Sequence, residues 1–491
     1  MMSLPTDPIL SPADALAFEE GFFSSDEDLQ WEVMTKAGEA VADSALRDMR
    51  ELRTIPHRPR LIVLAGKGHN GADALIAARR FLRTIPTARA VIWPFEPKEN
   101  CRPLTQRAFE ELIEFASKRV EILPVVKGSN SEELNSRWDE ITNDRGFDLL
   151  LDGILGMQGK PGLKDELAEW IRIINQSDQI SVRVSIDLPT GVTEVESDAD
   201  EPIRADFTYC TGIVKTPVIQ EQHKSWLGRL RYLDLGFFES SRESDFADCP
   251  KILRSSALPV LRKLRPVHSD KRDYGHLLGI AGSRELGGAA MMCARAALRS
   301  GVGLLTFCIP ESLHPSFVAS CPEAMWVPLP ETPNGGLALE GLGKVRQFLD
   351  RADALRSQIV APLKDRGNLV LTPHAGELER LQEKQTVDSY LSGFAGILVK
   401  KGPHPQVLTK TSRTHLFSGS AVLARGGSGD LLSGIIGSLL ARGGRTVMES
   451  VALGVLWHGR ASEALARQNG QEAVSTMQVL DFLSFALRND F

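Results

Sequence analysis

A glycine-rich turn that ends in an acid is the stretch of this sequence best suited to chemistry. Residues 424–434 read ARGGSGDLLSG, so three glycines and a serine precede Asp430. A turn of small residues lets backbone N–H groups converge on an anion, and the helix predicted to follow adds its positive end. Asp430 beside a phosphate is then predicted to be a general base that takes a proton from a substrate hydroxyl. The alternative is that Asp430 only caps the helix.

A second glycine-rich turn occurs near the start of the chain. Residues 60–65 form an apolar run of strand length, residues 66–73 read GKGHNGAD, and an apolar helical pattern covers residues 74–82. A strand, a glycine-rich turn and a helix in this order are typical of phosphate binding in a nucleotide fold. Asn70 and Asp73 offer oxygen atoms that a ligand or a cation could use.

Two further predicted strands end in acids. Residues 147–156 contain Asp152, and residues 180–191 contain Asp187 and Thr190. In an open parallel sheet, ligands bind at the carboxyl ends of the strands, so these side chains are expected to lie together. The alternative is that each strand-end acid only caps a turn.

The elements that would position these residues alternate between strand and helix along the whole chain. Such alternation predicts an α/β class with parallel sheets. A chain of 491 residues is too long for one ordinary domain. A charged, serine-rich and then proline-rich stretch separates the halves, so we predict domains at 1–240 and 266–491 joined by a linker at 241–265.

Composition excludes several classes of function. The hydrophobic content of 42%, the charged content of 24% and the net charge of −6 predict a soluble globular protein that does not bind nucleic acid. The six cysteines form no C-x-x-C pair, so neither a disulfide framework nor a zinc site is indicated. We read no signal peptide and no membrane span, and we expect a cytoplasmic homo-oligomer.

The first half resembles NAD(P)H-hydrate epimerase over roughly residues 11–238. The motifs are residues 66–73, the stretch from Asp152 to Gly156, and residues 185–191. The family's Asn-Asn-Gly-Gly-Asp turn reads His-Asn-Gly-Ala-Asp at residues 69–73. The resemblance implies a Rossmann-like sheet, a potassium ion held by Asn70, Asp152 and Thr190, and Asp152 or Asp187 as the catalytic acid, of which we name Asp152. It implies substrate contacts from His69, Asn70, Gly71, Ala72, Asp73, Gly156, Met157, Gln158, Gly159, Lys160, Pro161, Gly162 and Asp187.

The second half resembles NAD(P)H-hydrate dehydratase, which has a ribokinase-like fold, over roughly residues 250–491. The motifs read TPHAGE at 372–377, KKG at 400–402 and GGSGD at 426–430. The resemblance implies ADP or ATP with Mg²⁺, and Asp430 as the catalytic base. It implies substrate contacts from Ala289, His374 and Asp430, and nucleotide contacts from Lys401, Gly402, Pro403, His404, Pro405 and Gly429. Alternatively, His374 caps a helix and Lys401 is a solvated lysine.

The second half departs from the family at one place. The family has a strand and a helix ahead of its Asp-Ala-Asp-Ala-Leu segment, whereas here residues 349–355 (LDRADAL) run directly into residues 356–360. We therefore expect a shortened domain, because the loss of an interior strand removes core and exposes strand edges.

Both resemblances together indicate the bifunctional enzyme that repairs hydrated NADH and NADPH. The implied reactions are epimerisation of the hydrate and its nucleotide-dependent dehydration. Two alternatives stay open: a ribokinase-like small-molecule kinase, and a nucleotide-binding protein whose dehydratase domain is degenerate.

Overall fold

The computed structural model describes residues 4–488 except 143–144, 158, 160–161, 164, 196–200, 240–242 and 351–366. It divides into an N-terminal unit, Asp7–Ile252, and a C-terminal unit, Met1–Thr6 with Leu253–Phe491. Two short strands, β1 (Thr6–Leu10) and β10 (Lys251–Leu253), include the points of division. Among the residues described, no helix is both long and apolar enough to cross a membrane.

The N-terminal unit is built on a parallel sheet. Its helices are α1 (Pro12–Phe23), α2 (Glu27–Asp48), α3 (His69–Thr84), α4 (Pro103–Ala116), α5 (Ser131–Thr142), α6 (Asp165–Gln176) and α7 (Lys224–Leu227). Its other strands are β2 (Arg60–Ala65), β3 (Arg89–Pro94), β4 (Val120–Ile122), β5 (Leu149–Gly153), β6 (Arg183–Ile186), β7 (Phe207–Thr211), β8 (Val214–Lys215) and β9 (Arg229–Leu233). Seven of them pair in the parallel order β4-β3-β2-β5-β6-β7-β9, which confirms the predicted α/β class.

The central strands are apolar because helices cover both faces of the sheet. In β2, Leu61 to Ala65 are all buried, and one face of the sheet packs on the apolar side of α3. The predicted strand at 60–65 is therefore confirmed at both ends.

Several predicted boundaries were wrong. The helix predicted at 74–82 begins at His69 and ends at Thr84, because a first helical turn can hold polar residues that give no apolar pattern. The strand predicted to run from residue 147 to Asp152 covers Leu149–Gly153. The glycine-rich turn thus leads directly into α3, so residues 69–73 belong to its first turns.

The C-terminal unit contains two separate groups of strands. Its helices are α8 (Gly287–Arg299), α9 (His314–Ser320), α10 (Leu342–Asp350), α11 (Ala375–Gln382), α12 (Val387–Ser392), α13 (Ser428–Ala441), α14 (Val447–Asn469) and α15 (Leu483–Arg488). Its strands are β11 (His276–Ile280), β12 (Leu304–Pro310), β13 (Met325–Leu329), β14 (Val370–Leu371), β15 (Ile397–Lys400), β16 (Gln406–Leu408) and β17 (Arg413–His415). The strands β11, β12 and β13 are parallel, β14 is parallel to β15, and β15, β16 and β17 are antiparallel.

Three of these strands lie at open edges in the described part of the chain. There β11 and β13 each pair only with β12, and β14 pairs only with β15. The end residues of β11, His276 and Ile280, are exposed, with Ile280 at 51%. Open edges are what the predicted loss of a strand would leave. Residues 351–366, where we placed that loss, lie outside the described residues, so the loss itself stays a prediction.

Candidate active sites

The first site lies where β2 meets α3. Gly66 and Gly71 bring the turn close to its neighbours: a Cβ at Gly66 would lie 1.9 Å from the carbonyl oxygen of Ile154. A Cβ at Gly71 would lie 2.1 Å from the carbonyl oxygen of Gly66. Only glycine fits at either position, and this close packing holds the N-terminal end of α3 beside the end of β5.

His69 begins α3, and its charge is set by its surroundings. Burial and the nearby Arg102 guanidinium lower the pKa of His69 to about 4, so the imidazole is neutral at pH 7. A neutral ring at a helix N-terminus can offer one N–H to an anion without adding charge. His69 therefore suits the predicted substrate contact as a hydrogen-bonding group.

Asp152 is a hydrogen-bonding centre at the end of β5. It is fully buried, and its Oδ1 accepts from Thr190 Oγ1 at 2.6 Å and from Ile154 N at 3.3 Å. Its Oδ2 accepts from Thr190 N at 2.9 Å and from Ser185 Oγ at 2.8 Å. Burial raises the pKa of Asp152 against the effect of these donors. Four donors occupy the carboxylate, which favours a role in positioning the loops over direct contact with substrate.

The three predicted potassium ligands are brought together. Thr190 bonds Asp152 directly and accepts from Leu155 N at 3.1 Å, while Asn70 Nδ2 donates to the carbonyl oxygen of Leu155 at 2.9 Å. Because this hydrogen bond uses Asn70 Nδ2, the Oδ1 atom of the amide can still face a cation. The donor set consists of oxygen atoms, which suits a hard cation. The carboxylate of Asp152, however, already accepts four hydrogen bonds, of which the one from Ile154 N is the longest.

Asp187 lies in a buried charged group beside this centre. Its Oδ1 accepts from Lys215 Nζ at 2.6 Å, and the two residues are 7% and 2% exposed. Asp187 has a φ of +66°, an unfavourable backbone conformation for a residue other than glycine. Backbone strain of this kind is concentrated at functional sites. Burial raises the pKa of Asp187, and the Lys215 ammonium opposes that rise.

Asp73 completes the group of acids. Its Oδ1 is buried without a hydrogen-bond partner. Burial, together with the like charges of Asp187 and Glu19, raises the pKa of Asp73 well above its usual value, and Lys215 only partly opposes this. Asp73 is therefore expected to hold a proton that it could donate, whereas Asp187 beside Lys215 is the better acceptor.

Among the other predicted residues of this site, Ala72 is buried in α3 and Met157 packs against the apolar cluster that contains Leu10. Gly159 N donates to the carbonyl oxygen of Gly156 at 3.0 Å, and Gly162 has a φ of +85°. Gly156 lies against Asn70: a Cβ there would be 3.5 Å from Asn70 Cγ. Gln158, Lys160 and Pro161 lie outside the described residues. Our sequence-based choice of site residues omitted Lys215 and Glu19. The apolar positions Ala15 and Phe23, spaced by four on either side of Glu19, were the signal that could have placed Glu19 on a buried face.

The second site forms at the start of α13. Gly427 is its N-cap with a φ of +88°, and a Cβ there would lie 2.4 Å from Met292 Sδ of α8. The helix begins at Ser428, so Gly429 and Asp430 lie in its first turn, where N–H groups are free to bind an anion. The predicted turn followed by a helix is present, with the helix starting two residues before Asp430.

An open cavity of about 870 Å³ surrounds this helix end. Its lining includes His374, Lys401, Gly429 and Asp430, which the sequence predicted, and Glu377, which it did not. A Cβ on Gly429 would lie 3.1 Å from Lys401 Nζ, so the ammonium group lies over the helix end. Burial raises the pKa of Asp430 and Lys401 opposes it. A cation and a carboxylate thus face one cavity beside an anion-binding helix end.

His374 caps a helix, which is one of the two interpretations that the sequence left open, and its substrate contact stays a prediction. Its Nδ1 accepts from Glu377 N at 3.2 Å, and the Glu377 carboxylate accepts from His374 N at 2.8 Å, so His374 caps α11. The side chain of His374 also lines the cavity. Capping therefore holds the imidazole at the edge of the cavity and does not withdraw it.

Ala289 and the segment Gly402–Pro403–His404–Pro405 are not among the residues that line the cavity. Ala289 lies in α8, one turn before Cys293. Burial and then the charge of Asp430 raise the pKa of the Cys293 thiol to about 12, which places α8 close to the base. These assignments stay predictions.

Comparison with known proteins gives family matches in both units. The family model described as YjeF-related protein N-terminus matches residues 30–217. The model described as NAD(P)H-hydrate dehydratase matches residues 277–354 and 340–484, two segments that overlap at the predicted loss. Among solved structures, a ribokinase-like superfamily protein from Enterococcus faecalis is 26% identical and covers 48% of this chain and 95% of that chain. Its TM-score is 0.40, too low to carry any argument.

Curated relatives match along most of the chain. The bifunctional NAD(P)H-hydrate repair enzyme Nnr of Gloeobacter violaceus is 31% identical over 461 residues, covering 84% of this chain and 85% of that protein. The enzyme of the same name from Escherichia coli is 28% identical, covering 90% of this chain and 86% of its own length. The resemblance predicted from the motifs of the two halves is thus confirmed: the chain belongs to the family of bifunctional NAD(P)H-hydrate repair enzymes.

Proposed function

We propose that this chain repairs hydrated NADH and NADPH, with epimerisation in the N-terminal unit and nucleotide-dependent dehydration in the C-terminal unit. The observation that carries the proposal is the presence of two chemically different sites in a member of this family. One site is a buried group of acids around a lysine. The other is an anion-binding helix end that presents Asp430 to an open cavity.

Epimerisation proceeds by opening of the ring, and this step needs one base and one acid. As the base takes the proton of the hydroxyl group, the bond from that carbon to the ring nitrogen breaks, and the acid protonates the nitrogen. Rotation of the open-chain aldehyde and reclosure of the ring give the other epimer. We assign the base to Asp187 and the acid to Asp73, and we assign Lys215 to hold Asp187 in place. Asp152, our choice from the sequence, is given a positioning role because four donors already occupy its carboxylate.

Potassium is part of the proposal for the N-terminal unit. Asn70 and Thr190 supply neutral oxygens, and Asp152 could join them if the long contact from Ile154 N were released. When bound, the ion supplies positive charge that holds the loops after β5 and β6 together. No proton transfer in the proposed sequence passes through it.

Dehydration requires a poor leaving group to become a good one. Asp430 takes the proton of the substrate hydroxyl while that oxygen attacks the terminal phosphorus of ADP or ATP, and the bond to the leaving nucleotide breaks. The new phosphate ester then leaves as phosphate, and loss of a proton from the adjacent carbon restores the ring double bond. Lys401 faces the phosphates, and Mg²⁺, when bound with the nucleotide, neutralises their charge.

One observation favours a second candidate for the C-terminal unit. Its strands form two groups, and β11 and β14 have open edges within the described residues. A unit built in this way could bind nucleotide without completing the chemistry, which is the degenerate dehydratase that the sequence left open. A small-molecule kinase is the less favoured alternative because it gives no role to the N-terminal site.

One experiment separates these functions. The pure chain is incubated with hydrated NADH and either ADP or ATP, and the absorbance of the reduced ring and the release of phosphate are followed together. Return of the absorbance with one phosphate released for each ring restored supports dehydration. Nucleotide binding without turnover indicates a degenerate unit. Consumption of the nucleotide without release of phosphate and without return of the absorbance indicates a kinase. Homo-oligomer formation is checked by light scattering in the same preparation.

A further inference from the structure

Glu19 reaches the N-terminal site from an element that lies before the family-matched residues. The match begins at residue 30, whereas Glu19 lies in α1. Ser11 caps α1 directly after β1, and its side chain accepts from Asp14 N at 3.1 Å. In β1, Leu10 is paired in register with Lys215 of β8. This pairing fixes the start of α1 beside the lysine of the site.

The buried face of α1 directs Glu19 towards the site. Ala15 and Phe23, four residues before and after Glu19, are buried and belong to one apolar cluster with Leu10 and Ile213. Residues four apart lie on the same side of a helix. Glu19 therefore lies on the side of α1 that packs against the segment leading to Lys215. Its neighbour Glu20 is exposed.

Five titratable groups meet here: Glu19, Asp73, Asp187, Cys210 and Lys215. Three carboxyl groups face one ammonium group, so full ionisation would leave uncompensated negative charge in a buried place. Burial is the largest cause that raises the pKa of Glu19, and the charge of Glu19 in turn helps to raise the pKa of Asp73. The lysine cannot neutralise all three acids, so the site must hold protons.

We propose that Glu19 is a positioning residue of the N-terminal site: its carboxyl group, held on the inward side of α1, adds negative charge near the Lys215 ammonium and controls which of the remaining acids carries a proton. The inference rests on the proposed epimerisation. When Glu19 is ionised, Lys215 keeps its bond to Asp187, and the added negative charge of Glu19 keeps the proton on Asp73. Glu19 does not touch the substrate, so its effect on the reaction passes through Lys215 and Asp73.

The test compares Glu19→Gln with Glu20→Gln in the full chain. The pH–rate profile of epimerisation is measured from one purified epimer of hydrated NADH. Since the charge of Glu19 raises the pKa of Asp73, its removal should move the alkaline limb of the profile to lower pH. At a pH on that limb, kcat should fall several-fold while KM stays unchanged. Glu20→Gln should reproduce the wild-type profile, and Glu19→Asp should move the limb back towards it.

A second measurement needs no substrate. Acids whose pKa is raised by folding hold protons that the unfolded chain releases, so stability falls as pH rises above the ordinary carboxyl range. The thermal midpoint is measured at about pH 5 and about pH 8. Between these two conditions it should fall less in Glu19→Gln than in wild type or in Glu20→Gln. Equal slopes in all three proteins would overturn the inference.

The outcomes are separable. If the wild type is active and its pH–rate profile superimposes on that of Glu19→Gln, the role of Glu19 is overturned and the proposed function stands. An inactive wild type overturns the proposed function, and the slopes of the thermal midpoint then decide whether Glu19 controls the protons of the site. A merely structural glutamate would change the thermal midpoint equally at all pH values.

Discussion

Replacing Asp187 by asparagine should abolish most epimerisation while leaving the chain folded. Asn keeps the size of the side chain and, like Asp, tolerates the positive φ of +66° at this position. The change removes the carboxylate that accepts from Lys215 at 2.6 Å. If Asp187 is the base, turnover should fall by about 10²–10⁴-fold.

The expected cost in stability is too small to explain such a loss. Removing one partner of a buried ion pair costs about 3–5 kcal/mol. The lower end should apply, because the negative charge of Glu19 still acts on Lys215. Domains are stable by about 5–15 kcal/mol, so most molecules should stay folded. The measurement is the rate at which one epimer, isolated by chromatography, converts to the other above its spontaneous rate.

Asp148 supplies a matched control. It is 3% exposed, lies just before β5 at the end of the sheet away from the site, and accepts from Arg145 and from Arg60 N at 2.8 Å each. Asp148→Asn should therefore lower the free energy of unfolding by a similar amount without slowing epimerisation per folded molecule. An Asp187→Asn variant that keeps a third or more of the wild-type rate, or an Asp148→Asn variant that loses as much, would refute the assignment.

Three further outcomes are expected. Asp430→Asn should slow dehydration by about 10²–10⁴-fold while nucleotide binding is retained. The control Asp388→Asn removes a charge from the first turn of α12 and should leave the rate of dehydration unchanged. Equal rates of dehydration in the two variants would contradict the role of Asp430 as the base. Burial raises the pKa of Asp430, and only the ionised form is a base. The rate of dehydration should therefore fall as pH decreases, and the fall should begin above the ordinary Asp pKa of about 4. A rate that stays constant on the acid side of the profile would count against Asp430 as the base. In one preparation, the rate of epimerisation should exceed the rate of dehydration, and proteolysis should begin in the C-terminal unit, because the open edges of β11 and β14 lie there. Comparable rates together with a protease-resistant C-terminal unit would show that this unit compensates for its open edges.

The sequence predicted the strands best where side chains are buried on both faces. The run at residues 60–65 is apolar after Arg60, and the strand begins and ends as predicted. Helix starts were predicted poorly at α3 and α13, since glycine and polar residues in a first turn carry no apolar period. These helix starts are also the anion-binding ends, so the least regular sequence lies at the sites.

The missing members of the N-terminal site show why a motif search is incomplete. Lys215 reaches the site because β8, only two residues long, pairs with β1, and so short a strand leaves no pattern in the sequence. Glu19 and Asp187 are far apart along the chain, and the electrostatic link between them exists only after the sheet and α1 have packed. Asn70, Asp152 and Thr190, by contrast, follow strands with clear apolar runs and could be placed together in advance.

The short segment that precedes the N-terminal unit has a consequence for synthesis on the ribosome. Arg254 N donates to the carbonyl oxygen of Pro5 at 3.0 Å, and Leu4 packs on a cluster that also contains Leu480. At roughly 5–20 residues per second, the intervening chain takes tens of seconds to emerge. During that time the N-terminal unit can complete its sheet, while Pro5 waits for Arg254, near the middle of the chain, and Leu4 waits for a cluster that includes Leu480. Leu4 and Pro5 are thus translated before the residues that they contact and are among the last to reach their final places.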